Sequence, residues 1–226
     1  MKIAVVQYMY GNEQYFLYSQ AINQYYCSLH GYEYVFFNEE PRQDRHVNWH
    51  KVEVMERFLH NCDSDYVLFL DADAHFYAMS LTIEKELVGK LNSHPDSKDI
   101  LLAEDILCES VRSGPGIPNS GVVFMKANDL VRKFYQEWNT SSDICKQWRL
   151  KETYQGYQLA DQAALRHYLY PKYQQHIFLT KEYYLMNAVY GQYIRHYAWM
   201  NNENRLARFK EYVKRYLVTL IGKLPS

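Results

Sequence analysis

Residues 66–76 read YVLFLDADAHF: five mostly apolar residues, rich in β-formers, run straight into two carboxylates one residue apart, Asp71 and Asp73. A buried strand that ends this way delivers acid side chains to the carboxyl edge of a sheet, where open α/β sheets place their ligand sites. Paired hard oxygen donors at that edge suit a divalent cation such as Mg or Mn. Such a cation commonly carries a diphosphate. The stretch therefore points to a metal-dependent enzyme acting on a nucleotide-activated substrate.

Outward from this strand, the chain alternates strand and helix. Upstream lie a first buried strand, Lys2–Val6, and a loop at Tyr8–Asn12. A helix follows over Tyr15–His30, with apolar residues at Leu17, Ala21, Tyr25 and Leu29 on one face and Gly31 placed to stop it. A second strand at Tyr34–Phe37 and a polar loop over Asn38–Asn48 lead to a helix at Trp49–Cys62, which buries Val52, Met55, Leu59 and Cys62. Downstream, the pattern predicts a helix over Leu81–Leu91, strands at Ile100–Ala103 and Gly121–Met125, and a helix at Asp129–Trp138. A loop broken by Gly and Pro, Arg112–Asn119, introduces the Gly121 strand, and a polar stretch, Asn139–Gln158, has the length of a lid or binding loop. A helix at Asp161–Leu169 and a strand at His176–Leu179 complete an α/β pattern with a mostly parallel central sheet flanked by helices.

Composition sets the bounds. The 226 residues suffice for one sizeable core, and 25 basic against 26 acidic side chains give no bulk attraction to nucleic acid or another polyanion. Tyrosine is abundant, with 23 residues beside 10 Phe and 4 Trp, and its flat face and hydroxyl suit sugars as well as cores and interfaces. Cys27, Cys62, Cys108 and Cys145 lie far apart, which argues against structural zinc and a disulfide framework. The opening MKIAVVQYMYGNEQ is too short an apolar run for a signal peptide, and nothing approaches a spanning helix. The expectation is a soluble, cytoplasmic protein, with a peripheral place at the inner face of a membrane left open by the tail.

Five features in order resemble a GT-A glycosyltransferase. They are Trp49-x-Lys51 before the acidic strand, Leu70-Asp71-Ala72-Asp73-Ala74, Asn119-Ser120-Gly121-Val122-Val123-Phe124-Met125, Asp161-Gln162 and a late His196. The likeness is to the galactosyl/mannosyl/xylosyltransferases of carbohydrate-active family 34 and covers roughly residues 1–200. The run from Asn119 and the Asp161-Gln162 pair are also shared with the glycogenin and lipooligosaccharide galactosyltransferase group.

The resemblance implies a nucleotide-sugar donor, UDP- before GDP-linked, a glycan or glycolipid acceptor, and Mn or Mg. It assigns Asp73 to the metal, Asp71 to metal or ribose, and His196 to completing the metal sphere. Where the family often continues H-x-x-G, this chain has Ala198 and Trp199. Tyr8, Lys51, Ala72, Asn119 and Gly121 fall to nucleotide-sugar binding. Asp161 and Gln162 fall beside the reacting sugar, and both resembled groups retain anomeric configuration. Lys51 or Arg195 could add positive charge at the leaving diphosphate. An inverting enzyme would instead need a carboxylate base; Glu104 or Asp105, just after the Ile100–Ala103 strand, could be that base or could hydrogen-bond the donor sugar.

The tail forms a second unit, residues 201–226. Leu206, Phe209, Val213, Leu217, Leu220 and Leu224 recur at three or four residues, with Arg205, Arg208, Lys210, Lys214, Arg215 and Lys223 around one acid, Glu211. This basic amphipathic helix over Arg205–Leu224 fits an anionic membrane surface, packing on the domain with a solvated basic face, or an oligomer contact. Two other functions use the same residues. The LDADA run also resembles the first motif of haloacid-dehalogenase phosphatases, with Ala74 where Thr or Val is expected. A non-catalytic sugar-binding module is the reading without chemistry.

Overall fold

The computed structural model describes residues 1–105, 117–142, 161–186, 189–198 and 200–221. Cys108, Cys145, Lys223, Leu224, and most of the Arg112–Asn119 loop and of the polar Asn139–Gln158 stretch lie outside the described residues. The strands β1 (Ile3–Tyr8), β2 (Glu33–Phe37), β3 (Tyr66–Leu70), β5 (Ile100–Glu104), β6 (Pro118–Lys126) and β7 (Ile177–Thr180) form one sheet in the order β2-β1-β3-β6-β5-β7. β1, β2 and β3 run parallel, β7 is parallel to β5, and β6 lies antiparallel between β3 and β5. The sheet is mostly parallel, as the alternation predicts. The single reversed strand has a consequence for chemistry: the start of β6 meets the carboxyl end of β3. There the Asp71 amide donates to the Gly121 carbonyl at 2.7 Å.

The β3 strand shows why the sheet is covered on both faces. Leu68 and Leu70 enter one core cluster, with Tyr15, Tyr26 and Phe209, while Val67 and Phe69 enter another, with Trp49, Phe134 and Trp138. Successive strand side chains alternate faces, so a strand buried on both sides reads as a continuous apolar run. The first face is covered by α1 (Gln14–His30), the second by α2 (Asn48–Asn61). On α2 the expected Val52, Met55 and Leu59 are buried, and Cys62 caps the end, half-buried.

The face assigned to α1 is corrected. Leu17, Tyr25 and Leu29 are exposed, at 70%, 42% and 52%, and Ala21 is exposed with them. The buried side is Tyr15, Ser19, Ile22, Asn23, Tyr26 and Cys27. It includes polar residues because they have a task. Gln7 Nε2 donates to the carbonyls of Asp71 (2.9 Å) and Ala74 (3.3 Å), and Ser19 Oγ donates to Ala74 O at 3.0 Å. Asn23 Nδ2 donates to Gln7 Oε1 and Ala74 O, each at 3.0 Å, and Asn23 Oδ1 accepts from the Phe76 amide at 3.1 Å. This buried polar block supports the turn that carries Asp71 and Asp73. Asn23→Ala strands the Phe76 amide and one Gln7 oxygen contact, so we expect a loss on the order of 3 kcal/mol in urea denaturation.

Two further helices depart from regular geometry. The helix predicted over Leu81–Leu91 runs as a π-helical turn, Glu84–Val88, into α3 (Gly89–Ser93). After α4 (Asp129–Thr140), the helix predicted from Asp161 starts as α5 (Asp161–Ala164), widens into a π-turn over Leu165–Leu169 and ends as α6 (Tyr170–Tyr173).

A second sheet has no signal in periodicity. β4 (Ala74–Phe76), directly after the acidic pair, lies antiparallel to β8 (Ile194–His196), with Ala74 opposite His196. The last helix, α7 (Asn202–Ile221), packs its inner side on α1 and this small sheet. Phe209 is fully buried, stacks on Tyr15 at 6.0 Å and meets His75 at 4.9 Å, while Lys210, Lys214 and Arg215 stay exposed. Among the described residues, no helix is long and apolar enough to cross a membrane.

Candidate active site

At the carboxyl edge of β1 and β3 lies a cleft of roughly 870 Å³, lined in part by Tyr8, Lys51, Asp71, Ala72, Asp73, Asn119, Asp161, Gln162, His196 and Arg205. All but the last are site residues singled out from the sequence. Gly121 lies just beneath, its amide donating to Asn119 Oδ1 at 2.8 Å. Asp105 is not on the lining: it pairs with Arg166 and accepts from Gln162 Nε2 at 3.0 Å. Arg195 is also elsewhere, its guanidinium stacked 3.4 Å above the Tyr77 ring. The cation that sequence reasoning missed is Arg205, hidden there among the basic residues of the tail.

Asp71, Asp73 and His196 come together because β8 pairs with β4. His196 Nε2 lies 3.1 Å from Asp73 Oδ1 and 3.8 Å from Asp71 Oδ2, and one donor atom from each residue fits within 4.8 Å. Bonds of about 2.1 Å to a small divalent ion put neighbouring donors about 3 Å apart, so the spacing fits one ion. Gly121 leaves the room. A Cβ there would stand 2.1 Å from His196 Cε1, 2.7 Å from Nε2 and 2.9 Å from Asp71 Oδ2. Two carboxylates and an imidazole suit Mn somewhat better than Mg.

The second group is built round Lys51. Its Nζ lies 2.9 Å from Asp71 Oδ1 and 3.2 Å from Asp161 Oδ2, and donates to Ser120 Oγ at 3.2 Å. Ser120 Oγ in turn donates to Asp161 Oδ2 at 2.9 Å, and the Ser120 amide to Gln162 Oε1 at 3.2 Å. The helix-terminal pair Asp161-Gln162 is thereby held to the start of β6, and Lys51 is a buried counter-ion rather than a surface lysine.

The charges shift one another. Burial would lower the Lys51 pKa, but Asp161 and Asp71 outweigh it and hold it above the ordinary lysine value. Burial dominates at Asp71 and lifts its pKa despite Lys51 and His196. At Asp73 burial works upward too, yet His196 and Arg205 pull the pKa down to about 2. His196 moves the other way: burial lowers it, but Asp73 and Asp71 raise it above the usual imidazole value.

A depressed carboxylate pKa contributes stability that is complete above its unfolded value near 3.8 and lost as pH falls through about 2. The metal-free chain should therefore lose on the order of 2 kcal/mol across that acid range through Asp73. Asp73→Asn should flatten the stability–pH curve there, as read by urea midpoints between pH 5 and pH 2.

A sequence model of the galactosyl transferase GMA12/MNN10 family matches residues 8–210. No curated protein sequence matches the chain. Among solved structures, a glycosyltransferase involved in glycosylation of the major capsid of PBCV-1 is similar at TM-score 0.71 and 14% identity, over 93% of this chain and 100% of that one. The galactosyltransferase LgtC, solved with donor and acceptor sugar analogues, is similar at TM-score 0.53 and 11% identity, over 92% of this chain and 95% of that one. GlyE of Streptococcus pneumoniae TIGR4 is similar at TM-score 0.51 and 10% identity, covering 97% of this chain and 64% of that one. These likenesses carry the fold, and the family match spans most of the chain. The protein belongs to the galactosyl transferase GMA12/MNN10 family and is a glycosyltransferase of GT-A fold.

Proposed function

We propose that the chain transfers a sugar from a UDP-sugar to a glycan or glycolipid acceptor, with Mn²⁺ held by Asp71, Asp73 and His196, and with retention of configuration. The observation that carries this is the convergence of those three donors at one end of the cleft. When bound, a divalent ion supplies Lewis-acid stabilisation to the diphosphate leaving group. The chain's own part is to orient. Asp161 and Gln162, fixed by Ser120 and Lys51, present amide and carboxylate oxygens where the donor sugar lies in the resembled enzymes, and Tyr8 offers a ring at the cleft wall.

Retention is favoured by the state of the carboxylates. Among the described residues lining the cleft, the acids are Asp71, Asp73 and Asp161, and each faces a cation: Lys51 for Asp71 and Asp161, Arg205 for Asp73. None is poised to take a proton from an acceptor hydroxyl. Asp105 is engaged by Arg166. A peripheral membrane contact of α7 would use the exposed Lys210 and Lys214, because Phe209 and Tyr212 belong to the core.

The test is thermal melting against UDP, GDP, CMP and ADP, each with and without Mn²⁺. A ligand that binds only the native state raises the melting temperature by mass action. Stabilisation by UDP that requires Mn²⁺ and disappears in Asp73→Ala is expected. No shift with any nucleotide would sink the donor-site reading.

A further inference from the structure

Each carboxylate of the Asp71-Ala72-Asp73 turn has its own internal cation, but the two cations are held differently. Lys51 is buried and has Asp161 as well as Asp71, so it keeps a counter-ion whatever happens at Asp71. Arg205 has Asp73 as its carboxylate partner among the described residues, with Nε 2.9 Å from Asp73 Oδ2. The guanidinium is also anchored on neutral acceptors: the same Nε donates to the Tyr197 carbonyl at 3.2 Å and Nη1 to Asn202 Oδ1 at 3.0 Å. Nη2 makes no hydrogen bond among the described residues, and the side chain borders the cleft near the Tyr15 ring, 5.6 Å away.

We infer that Arg205 is a positioning residue that couples metal to donor: it is the counter-ion of Asp73 in the ligand-free chain and passes to the donor diphosphate when Asp73 takes the metal. This rests on the metal–nucleotide reading above. The physics is a competition for one carboxylate. A divalent ion on Asp73 withdraws the negative charge that holds Arg205 and places a like charge beside it. The guanidinium then needs an anion, and its planar fork matches phosphate oxygens. Its anchors on Tyr197 and Asn202 occupy Nε and Nη1, which leaves Nη2 to meet that anion. By linkage, metal alone binds weakly because it must displace Arg205, while metal and nucleotide together strengthen each other. The arrangement makes a site that takes the metal only weakly until the donor arrives.

The test measures two affinities in the full chain: Mn²⁺ alone, from the paramagnetic resonance signal of the free ion, and UDP at saturating Mn²⁺, by calorimetry. In Arg205→Gln, which keeps a donor for Tyr197 or Asn202, Mn²⁺ alone should bind several-fold tighter, while UDP binds about 10- to 100-fold weaker, the worth of a charged hydrogen-bond pair. Arg205→Lys keeps the charge on Asp73 but lacks the fork, so Mn²⁺ alone should bind as in the wild type and UDP at least threefold weaker. Arg208→Gln, one helical turn away and outside the cleft, should change neither. Opposite movement of the two affinities is the signature that a merely structural role would not give. Folded Arg205→Gln with unchanged or weaker Mn²⁺ binding, or with unchanged UDP binding, overturns the inference alone. Should Arg205→Gln not fold, wild-type UDP affinity in Arg205→Lys overturns it. A wild type that binds no UDP with Mn²⁺ overturns the donor reading and takes this inference with it.

Discussion

Gly121→Ala should abolish the metal site while leaving the fold in place. Gly121 is not among the residues with positive φ, so alanine meets no backbone strain, and the entire penalty is steric. The new methyl would lie 2.1 Å from His196 Cε1, a separation that no packing tolerates. His196 is nearly fully buried and its backbone is paired to Ala74 across the small sheet, so the ring can only rotate away from Asp71 and Asp73. Mn²⁺ affinity should fall about 100-fold or more, at a stability cost of about 1–3 kcal/mol for the overpacked position. Calorimetric Mn²⁺ titration checks the first number and urea denaturation the second. A double-mutant cycle with His196→Ala identifies the cause: if Gly121→Ala acts by expelling the imidazole, the second substitution adds little to the loss of metal binding. Additive losses would mean that the methyl disrupts Asp71 instead.

The second large effect belongs to Lys51. Its ammonium faces Asp71 and Asp161 at 2.9 and 3.2 Å, and Asp161 is 1% exposed. Lys51→Met removes the cation, leaves both carboxylates facing each other without compensation, and should cost about 3–5 kcal/mol. The pH dependence gives the sign. Burial already lifts the Asp71 pKa, and without the opposing pull of Lys51 it rises further above its unfolded value. That contribution is fully present at low pH and lost as pH rises through the raised value. The deficit relative to the wild type should therefore be larger at pH 7 than at pH 4, the reverse of ordinary acid sensitivity. Equal deficits at both, read from urea midpoints, would show that Lys51 contributes packing and not charge.

Much of this architecture is legible in the order of the residues. The β3 strand announces itself as apolar residues that end in acid, and the alternation of strands and helices yields the order of elements. The site residues Lys51, Asp71, Asp73, Asn119, Asp161, Gln162 and His196 line one cleft. Where sequence reasoning goes astray, the causes are particular. Leu17, Ala21, Tyr25 and Leu29 repeat at four residues, and periodicity weighs only hydrophobicity. The side of α1 that packs inward carries Ser19 and Asn23, which serve the Ala74 carbonyl and the Phe76 amide. A polar residue with a buried backbone group to satisfy can outrank an apolar residue with nothing to cover it. Arg205 looks like any other basic residue of an amphipathic tail. Charge patterning cannot tell a solvated arginine from one that α7 swings into a cleft.

The chemistry on offer follows from residue type and position along the chain: two carboxylates at the end of a buried strand, a lysine on the preceding helix, and an Asp-Gln pair at a later helix start. These are local properties, set by side-chain type and by short-range periodicity. Which of those groups meet is a matter of long-range folding alone. The β4–β8 pairing joins residues 122 positions apart, Ala74 and His196, and brings the imidazole to the acids. The reversed strand β6 carries Gly121 under the same ring, and α7 returns Arg205 to Asp73. Such contacts depend on strand direction and on the register of elements far apart in the chain, and three-residue spacings hold no information about either.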